Sequence, residues 1–232
     1  WNEVDTTQTV VGIPWKDRGI YLIVGGAGGL GLIFAKEIAG QVQGATLILT
    51  GRSPLLTEKP DPHGTRLNEL KAAGALTHTR IEYRQLDVTK REEVDRLIQS
   101  IREEFGDLDG VIHSAGIIND NYIIKKSKTE FLNVLAPKVT GLVNLDQATQ
   151  DLPLDFFIIF ASGAGAMGNP GQADYSTANA FMDAYAKYRN RLVAANQRQG
   201  RTLVIDWPLW KEGGMRVDDE TRKILKQNTG MI

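Results

Sequence analysis

A serine and a tyrosine thirteen residues apart are the first candidates for chemistry in this sequence. Ser162 and Tyr175 both lie in the segment "ASGAGAMGNPGQADYSTANAF", which spans Ala161 to Phe181 and is predicted to be a strand end, a glycine-rich loop and a helix start. Beside a nucleotide-binding fold, this spacing suggests reduction of a ketone. A phenol has an ordinary pKa of about 10, so we expect that it needs a nearby cation to donate a proton to a developing alkoxide near neutral pH.

The cation is not at the expected place, one helical turn after the tyrosine, where Asn179 stands instead. Lys187 lies twelve residues from Tyr175, which is roughly 18 Å along a helix axis and too far. Three further lysines form a polar cluster that we interpret as solvated surface: Lys125, Lys126 and Lys128.

Lys138 is the remaining candidate, because it falls on an apolar helical stripe within "EFLNVLAPKVTGLVNL". A lysine on such a stripe must find a partner or extend its ammonium to water, and snorkelling to water is the alternative interpretation. With Ser162 and Tyr175 in the same sequence, we favour a site position for Lys138. Pro137 is predicted to kink the helix.

A glycine-rich segment near the start predicts a dinucleotide site. "IYLIVGGAGGLGLIFAKEIA" places glycines after an apolar strand and at the opening of an amphipathic helix, which is the context that distinguishes such a site from a tight structural turn. Missing side chains let a pyrophosphate approach the backbone N–H groups of the helix start. The residues are Gly25, Gly26, Gly28, Gly29, Leu30 and Gly31.

The strand ends that follow carry the other candidate cofactor residues. Arg52 stands where an acidic residue would hold a ribose 2′-hydroxyl, and a guanidinium favours a 2′-phosphate and hence NADP; an exposed loop arginine is the alternative. Asp87 could accept from an adenine amino group or cap the helix that starts near Thr89. His113 is predicted to be a packed, hydrogen-bonded residue rather than an acid or base.

The candidate site residues lie in a sequence whose apolar patterns predict alternating strands and helices. Apolar runs predict strands at 20–25, 45–51, 80–88, 110–116, 154–162 and 201–207, and helical patterns lie near 30–40, 64–74, 89–105, 128–149, 173–198 and 217–227. We therefore predict an α/β protein with a doubly wound, Rossmann-like parallel sheet.

Composition narrows the class further. The chain has 232 residues, 42% apolar and 24% charged, with a net charge of -1. This balance gives no basic field for nucleic acid or an anionic membrane. The absence of cysteine excludes disulfides and thiolate metal sites, no metal is expected, and a cytoplasmic protein is compatible with this composition. Because the chain begins with Trp1, we expect it to be a piece of a longer protein.

Taken together, the motifs resemble those of the ketoreductase domains of modular polyketide synthases, in the short-chain dehydrogenase/reductase superfamily. The similarity covers roughly residues 15–230, with "YLIVGGAGGLG", "GRS", "LDVTKREEV", "GVIHSAGI", "VLAPKVTGLVNLD" and "WPLWKEGGM" among its motifs. This family exchanges the lysine and asparagine of the wider superfamily, as Lys138 and Asn179 do here.

The resemblance implies a mechanism in which NADPH reduces a β-ketoacyl chain held as a thioester on an acyl carrier protein. It implies that Ser162 orients the ketone, Tyr175 donates the proton, Lys138 lowers the phenol pKa and holds the ribose, and Asn179 supports the ribose or a relay water. It also implies cofactor contacts at Ser53, Val88, Ser114, Ala115 and Gly116.

Product stereochemistry follows from the resemblance as well. Family members that form D-alcohols carry an acidic motif whose last aspartate corresponds to Asp120, although Ile118 and Asn119 replace the two residues before it. Members that form L-alcohols tend to have tryptophan where this chain has Met167. Thr177 favours an α-unsubstituted or unepimerised substrate, and Met215 lies in the expected substrate region.

The resemblance also divides the chain. We expect residues 1–18 to be a lead-in or the tail of a preceding structural subdomain. Residues 19–232 form the expected catalytic domain, with the start of a substrate lid at about 208–232. Neighbouring synthase domains are expected partners. The alternatives are a reduction-inactive structural or epimerising domain, another enzyme of the superfamily, and a nucleotide-sensing module.

Overall fold

A six-stranded parallel sheet forms the centre of the protein. The computed structural model describes residues 12–54 and 62–210. The strand order is β3-β2-β1-β4-β5-β6, and every paired neighbour is parallel. The strands are β1 (Ile20–Val24), β2 (Thr46–Gly51), β3 (Arg80–Gln85), β4 (Gly110–His113), β5 (Phe156–Ser162) and β6 (Arg201–Trp207).

Helices connect the strands and cover both faces of the sheet. They are α1 (Gly29–Gln41), α2 (Pro62–Ala75), α3 (Arg91–Phe105), α4 (Lys128–Lys138), α5 (Thr140–Ala148), α6 (Gly163–Met167) and α7 (Ala173–Ala194), with a 3-10 turn at Ile123–Lys125. The predicted α/β, doubly wound, Rossmann-like fold is confirmed. The predicted helix at 217–227 lies outside the described residues.

Two apolar cores result from the alternation of side chains along the strands. Tyr21 and Ile23 of β1 enter one core, whereas Leu22 and Val24 enter the other. Successive side chains of a strand point to opposite faces, so a strand that is buried on both faces needs a nearly continuous apolar sequence. β5 meets this requirement, since its residues from Phe156 to Ala161 are all buried.

Two local predictions are wrong in part. The single helix predicted over 128–149 is two helices, α4 and α5, which meet at Val139, two residues after the Pro137 from which a kink was predicted. The stretch after β5 that is predicted to be a loop contains the short helix α6 at Gly163–Met167. The Ser162 side chain stabilises this helix start by accepting a hydrogen bond from the Ala164 amide.

The described part of the lead-in, residues 12–18, packs onto the domain. The Trp15 ring makes edge contacts with Tyr21, Phe34 and Phe156. Lys16 forms ion pairs with Asp109 at 2.6 Å and Asp155 at 2.8 Å. This segment therefore contacts the sheet and α1, and residues 1–11 lie outside the described residues.

The sheet order creates a crevice between β1 and β4. Strand order runs outward from β1 through β2 in one direction and from β4 through β5 in the other. Open α/β sheets bind ligands at the carboxyl ends of the strands at such a switch point. The glycine-rich turn after β1, the turn after β4 and the end of β5 all lie at this edge.

Candidate active site

Ser162 is the last residue of β5 and stands at the carboxyl edge of the sheet, paired in register with Trp207 of β6. Its side-chain oxygen accepts from the Ala164 amide at 3.3 Å. This contact uses the oxygen as an acceptor, so the hydroxyl proton is available to donate to a further group. The buried strand holds this donor in place from one side and α6 from the other.

Tyr175 enters the same space from the first turn of α7, with only 6% of the residue exposed. Burial raises the pKa of its phenol above the ordinary value, while hydrogen bonds with Ser162 and Asn179 oppose the shift only in part. The negative charge of Asp120 adds to the rise. The phenol is therefore protonated at neutral pH and hydrogen-bonded to the predicted serine.

Lys138 reaches this tyrosine from the last position of α4. Its ammonium lies 5.5 Å from the centre of the Tyr175 ring and donates to the Phe160 carbonyl at 2.9 Å. With 3% of the residue exposed, the ammonium does not extend to water, so the snorkelling alternative is wrong. Gly116 leaves room for the Lys138 side chain, because a Cβ at position 116 would stand 2.8 Å from Lys138 Cε.

Burial is the largest influence on the pKa of Lys138 and on that of Tyr175. Burial lowers the pKa of Lys138 itself to about 8, and the charges of Asp183 and Asp206 counteract that shift. The pKa of Tyr175 remains above its ordinary value, because the low-polarity surroundings outweigh the favourable contacts.

Asn179 lies one turn after Tyr175 and is fully buried. Its side-chain amide donates to the Tyr175 backbone carbonyl at 2.7 Å. Its Oδ1 atom is buried and has no hydrogen-bond partner among the described residues. Buried polar atoms are almost always satisfied, so this oxygen points to a donor that a water or a ligand would supply.

His113 is a packed residue, as predicted. It is fully buried at the end of β4, and its Nε2 lies 2.9 Å from the Pro137 carbonyl. Burial, with the nearby charge of Lys138, lowers the pKa of His113 to about 3. The imidazole is therefore neutral near pH 7 and fixes the end of α4 without titrating there.

The glycine-rich turn after β1 has the geometry that a dinucleotide requires. Gly25 has a φ of +81°, and a Cβ there would stand 2.8 Å from the Ala115 amide nitrogen. A Cβ at Gly31 would meet Ser114 Oγ at 2.6 Å, whereas one at Gly28 would meet only the Gly25 carbonyl at 3.9 Å.

Gly25 and Gly31 thus permit close packing, and Gly28 leaves open space. α1 begins after Gly28, and no side chain caps its first turn. Its backbone N–H groups are suited to a pyrophosphate, so the residues present fit a dinucleotide.

The remaining residues predicted around this turn occupy several different positions. Gly26 and Gly29 belong to the turn and the helix start, and Leu30 packs at the border of one apolar core. The Ser114 hydroxyl donates to the Val24 carbonyl at 2.8 Å, tying β4 to β1. The turn after β4 therefore lies against the turn after β1, at the switch point.

The end of β2 carries Arg52 and Ser53, both exposed. Gln85 donates to the Arg52 carbonyl and Tyr83 to the Ser53 carbonyl, so the backbone here is held while the arginine side chain faces outward. An exposed guanidinium at this position is compatible with both interpretations given for Arg52.

Asp87 uses one carboxylate oxygen within its own turn. Its Oδ1 accepts from the Thr89 amide at 3.1 Å and the Thr89 hydroxyl at 2.7 Å. Burial raises the pKa of Asp87, but these bonds and the charges of Lys90 and Arg52 outweigh it, so the pKa is lowered. The predicted capping of the next helix is wrong in detail, because Lys90 is the N-cap residue of α3.

Val88 contributes packing rather than a free surface. The residue is 4% exposed, and its side chain lies where a Cβ on Gly141 would meet it at 2.7 Å. Its carbonyl accepts from Asn144 at 3.0 Å. The Val88 side chain therefore packs against α5 in one of the two apolar cores.

The predicted stereocontrol residues are less closely grouped. Asp120 is exposed, and its carboxylate accepts a hydrogen bond at 2.9 Å from the side chain of Gln172, a residue that lies three positions before Tyr175. Met167 ends α6 with 72% of the residue exposed. Met215 lies outside the described residues.

Lys126 is not the solvated residue that the sequence suggested. Its side chain is 1% exposed, and the ammonium lies 2.5 Å from Asp174 Oδ2, whose side chain is equally buried. The interpretation of Lys126 as solvated surface is wrong, because a partner 48 residues away encloses it. In the sequence, only the position of Asp174 directly before Tyr175 indicated a partner for a buried lysine.

An acidic pair lies close enough to Lys138 to act on its charge. Asp183 of α7 and Asp206 of β6 interact electrostatically, and burial together with the charge of Asp206 raises the pKa of Asp183 to about 6. No pattern along the chain indicates this pair, because the two residues belong to different elements.

Residues 12–54 and 62–210 contain no group of three or more potential metal ligands. None of the helices in these two ranges is long and apolar enough to cross a membrane.

Comparisons with known proteins identify the family. The family model of the KR domain matches residues 19–212. Polyketide synthases PksL and PksN of Bacillus subtilis (strain 168) are each 54% identical, over 100% and 99% of this chain but only 5% and 4% of their own lengths. The chain thus spans about a twentieth of these relatives.

Solved structures agree. A ketoreductase domain from the bacillaene assembly line has a TM-score of 0.91 and 46% identity, over 100% of this chain and 53% of that one. An N-terminal ketoreductase from the macrolactin assembly line has a TM-score of 0.76 and 44% identity, over 85% of this chain and 38% of that one. The chain therefore belongs to the KR family, the ketoreductase domains of polyketide synthases within the short-chain dehydrogenase/reductase superfamily.

Proposed function

We propose that this domain uses NADPH to reduce a β-ketoacyl thioester, carried on an acyl carrier protein, to the β-hydroxyacyl product. One observation carries the proposal: the buried phenol of Tyr175 is hydrogen-bonded with Ser162 and has the Lys138 ammonium 5.5 Å from its ring. A hydroxyl donor, a protonated phenol and a cation are the groups that a developing alkoxide requires.

The glycine-rich turn and the start of α1 are the proposed holders of the pyrophosphate, and Arg52 is the proposed partner of the 2′-phosphate. When bound, NADPH supplies the hydride that adds to the ketone carbon. Further cofactor contacts are proposed at Ser53, Asp87 and the 114–116 turn. The side chain of Val88 is left out of this set because it lies in the core.

Proton transfer is assigned to residues of the chain. As the carbon–oxygen π electrons move onto oxygen, Ser162 donates a hydrogen bond to it and Tyr175 transfers the phenolic proton, which leaves a phenolate. The raised pKa of Tyr175 keeps the phenol protonated before the reaction. The nearby ammonium of Lys138 stabilises the phenolate, and a water bound at Asn179 Oδ1 returns a proton from solvent.

The proposed product is the D-alcohol. The support is Asp120, whose charge is close enough to Tyr175 to affect its pKa, although the two residues before it depart from the family motif. With Thr177 in α7, an α-unsubstituted or unepimerised substrate is proposed.

The test is turnover of a β-ketoacyl N-acetylcysteamine thioester with NADPH, followed by loss of reduced-nicotinamide absorbance and by chiral chromatography of the product. Loss of the acid–base group in Tyr175→Phe should lower kcat by about 10²–10⁴-fold. Tyr188→Phe is the matched control, since Tyr188 is an exposed tyrosine of the same helix.

The outcomes separate the alternatives. NADPH binding without turnover of any β-ketoacyl thioester would favour a reduction-inactive structural or epimerising domain. An L-alcohol would contradict the role given to Asp120. An undiminished rate in Tyr175→Phe would remove the proton-donor assignment.

A further inference from the structure

The start of the Tyr175 helix is joined to the Asp120 segment by a buried ion pair. Lys126 Nζ lies 2.5 Å from Asp174 Oδ2, and both side chains are 1% exposed. The other carboxylate oxygen, Asp174 Oδ1, accepts the backbone N–H of Tyr175 at 2.9 Å. One carboxylate therefore links a lysine in one segment to the backbone of the proposed proton donor.

Lys126 is in turn fixed within its own segment. Its ammonium also donates to the Asn119 carbonyl, adjacent to Asp120. Immediately after it, Ser127 and Glu130 form a reciprocal capping box that starts α4. The lysine thus sits between the Asp120 turn and the helix that ends in Lys138.

Two more contacts align the same two stretches of chain. The Asn121 amide donates to the Gly171 carbonyl at 2.9 Å, and Gln172 donates to Asp120 at 2.9 Å. These bonds are neutral or exposed, whereas the Lys126 bond is charged and buried. Charge-assisted bonds are the stronger and shorter ones, and a buried charge tolerates only a matching partner.

The place of the pair in the chain decides its role. Residues 119–126 contact residues 171–174, which directly precede Tyr175 in the chain. If the ketone oxygen of a substrate meets Tyr175 and Ser162, the neighbouring atoms of that substrate lie beside these two stretches. A shift between them would move the phenol and Asp120 relative to each other. A buried ion pair fixes such a register, because the shifted arrangement leaves a charge without its partner.

From this geometry we infer that Lys126 and Asp174 are positioning residues, which hold the Tyr175 hydroxyl and the Asp120 segment in the register that presents one face of the ketone. Neither residue exchanges a proton with the substrate. The inference rests on the proposed reduction and adds to it two residues that determine both rate and facial selectivity.

The experiment compares the double variant Lys126→Met/Asp174→Asn with the unchanged chain. The double variant removes the pair without stranding a charge, and the new carboxamide keeps an oxygen for the backbone N–H of Tyr175. We expect kcat for the thioester to fall at least tenfold and the minor enantiomer to increase at least fivefold, with KM and NADPH affinity within twofold. Lys126→Arg should retain most of the selectivity.

The matched control is Lys125→Met, an exposed neighbour in the 3-10 turn, which should leave kcat and the enantiomer ratio unchanged. A folded double variant with the original kcat and enantiomer ratio would overturn the inference. Loss of activity with the ratio unchanged would also overturn it, because that pattern indicates a general loss of structure rather than of register.

A readout without turnover keeps this inference separate from the proposed function. Tyrosine labelled with ¹³C at Cζ gives a resonance for Tyr175 that Tyr175→Phe identifies. This resonance should shift in the double variant and stay in place in Lys125→Met. If the unchanged chain reduces no thioester, the proposed function fails, while an unmoved resonance is the result that rejects the positioning role.

Discussion

The buried lysine at the end of α4 makes the stability of this protein depend on pH in an unusual direction. Burial lowers the pKa of Lys138 from 10.5 to about 8. Between these values the unfolded chain binds more protons than the folded one, so stability rises with pH. Below pH 8 both states are protonated, and the full unfavourable contribution, about 3 kcal/mol, is present.

The measurable part is the change within an accessible window. From pH 7 to pH 9.5, linkage gives an increase of about 2 kcal/mol in the free energy of unfolding from Lys138 alone. The pKa of Asp183, about 6, and that of His113, about 3, both lie below this window. These neighbours therefore hold constant charges while the lysine loses its proton.

The assay is urea unfolding followed by tryptophan fluorescence, for the unchanged chain and for Lys138→Met, at several pH values from 7 to 9.5. The difference between the two proteins should change by about 2 kcal/mol, with the unchanged chain gaining. Lys128→Met is the matched control, because Lys128 begins the same helix with an exposed side chain. A difference that stays constant with pH would refute the buried, charged state assigned to Lys138.

Three further predictions concern packing, a buried pair and the acidic pair. Gly31→Ala should destabilise the chain by about 1–3 kcal/mol in urea unfolding, because the new Cβ would stand 2.8 Å from a backbone carbonyl; unchanged stability would contradict the tight turn. Asp146→Ala removes the carboxylate that lies 2.7 Å from the fully buried Arg189, and should lower the free energy of unfolding by about 3–5 kcal/mol in the same assay. A smaller decrease would mean that the carbonyl partners of Arg189 are enough to compensate its charge. The raised pKa of Asp183 means that its contribution to stability is lost as pH rises from 3.8 to about 6, so Asp183→Asn should gain stability relative to the unchanged chain over that range, and no relative gain would refute the shift.

Patterns along the sequence predicted the elements better than the contacts between them. The β5 strand and the α3 helix followed from an apolar run and a helical period. The position of Lys138 followed too, since a lysine on an apolar stripe has few acceptable environments. These features are local, so neighbouring residues contain the information.

The predictions that were wrong concern features that depend on contacts between residues far apart in the chain. Nothing near Lys126 distinguishes it from the exposed Lys125, because its environment is created by Asp174, 48 residues on. The short helix α6 was missed because its glycines are typical of a loop, whereas Gly165 lets this helix pack directly against α7, where a Cβ would stand 2.9 Å from the Ala180 amide nitrogen. Tertiary contacts decided both cases against the local pattern.

The exchange of lysine and asparagine changes which element controls the charge beside the phenol. A lysine at position 179 would share a helix with Tyr175, and its place would follow from that helix alone. Lys138 instead comes from the end of α4, so its position needs separate fixation. The neutral His113 imidazole holds the Pro137 carbonyl, and the Phe160 carbonyl accepts from the ammonium itself.

This arrangement gives His113 a role that its chemistry alone does not suggest. A charged imidazole there would repel the ammonium, and its very low pKa excludes that state near neutral pH. His113→Asn should therefore move Lys138 without removing any group from the site. We expect a lower kcat with NADPH affinity largely kept, measured by the thioester assay and by fluorescence titration. Unchanged turnover in this variant would show that the Phe160 carbonyl and the space left by Gly116 are enough to hold the lysine.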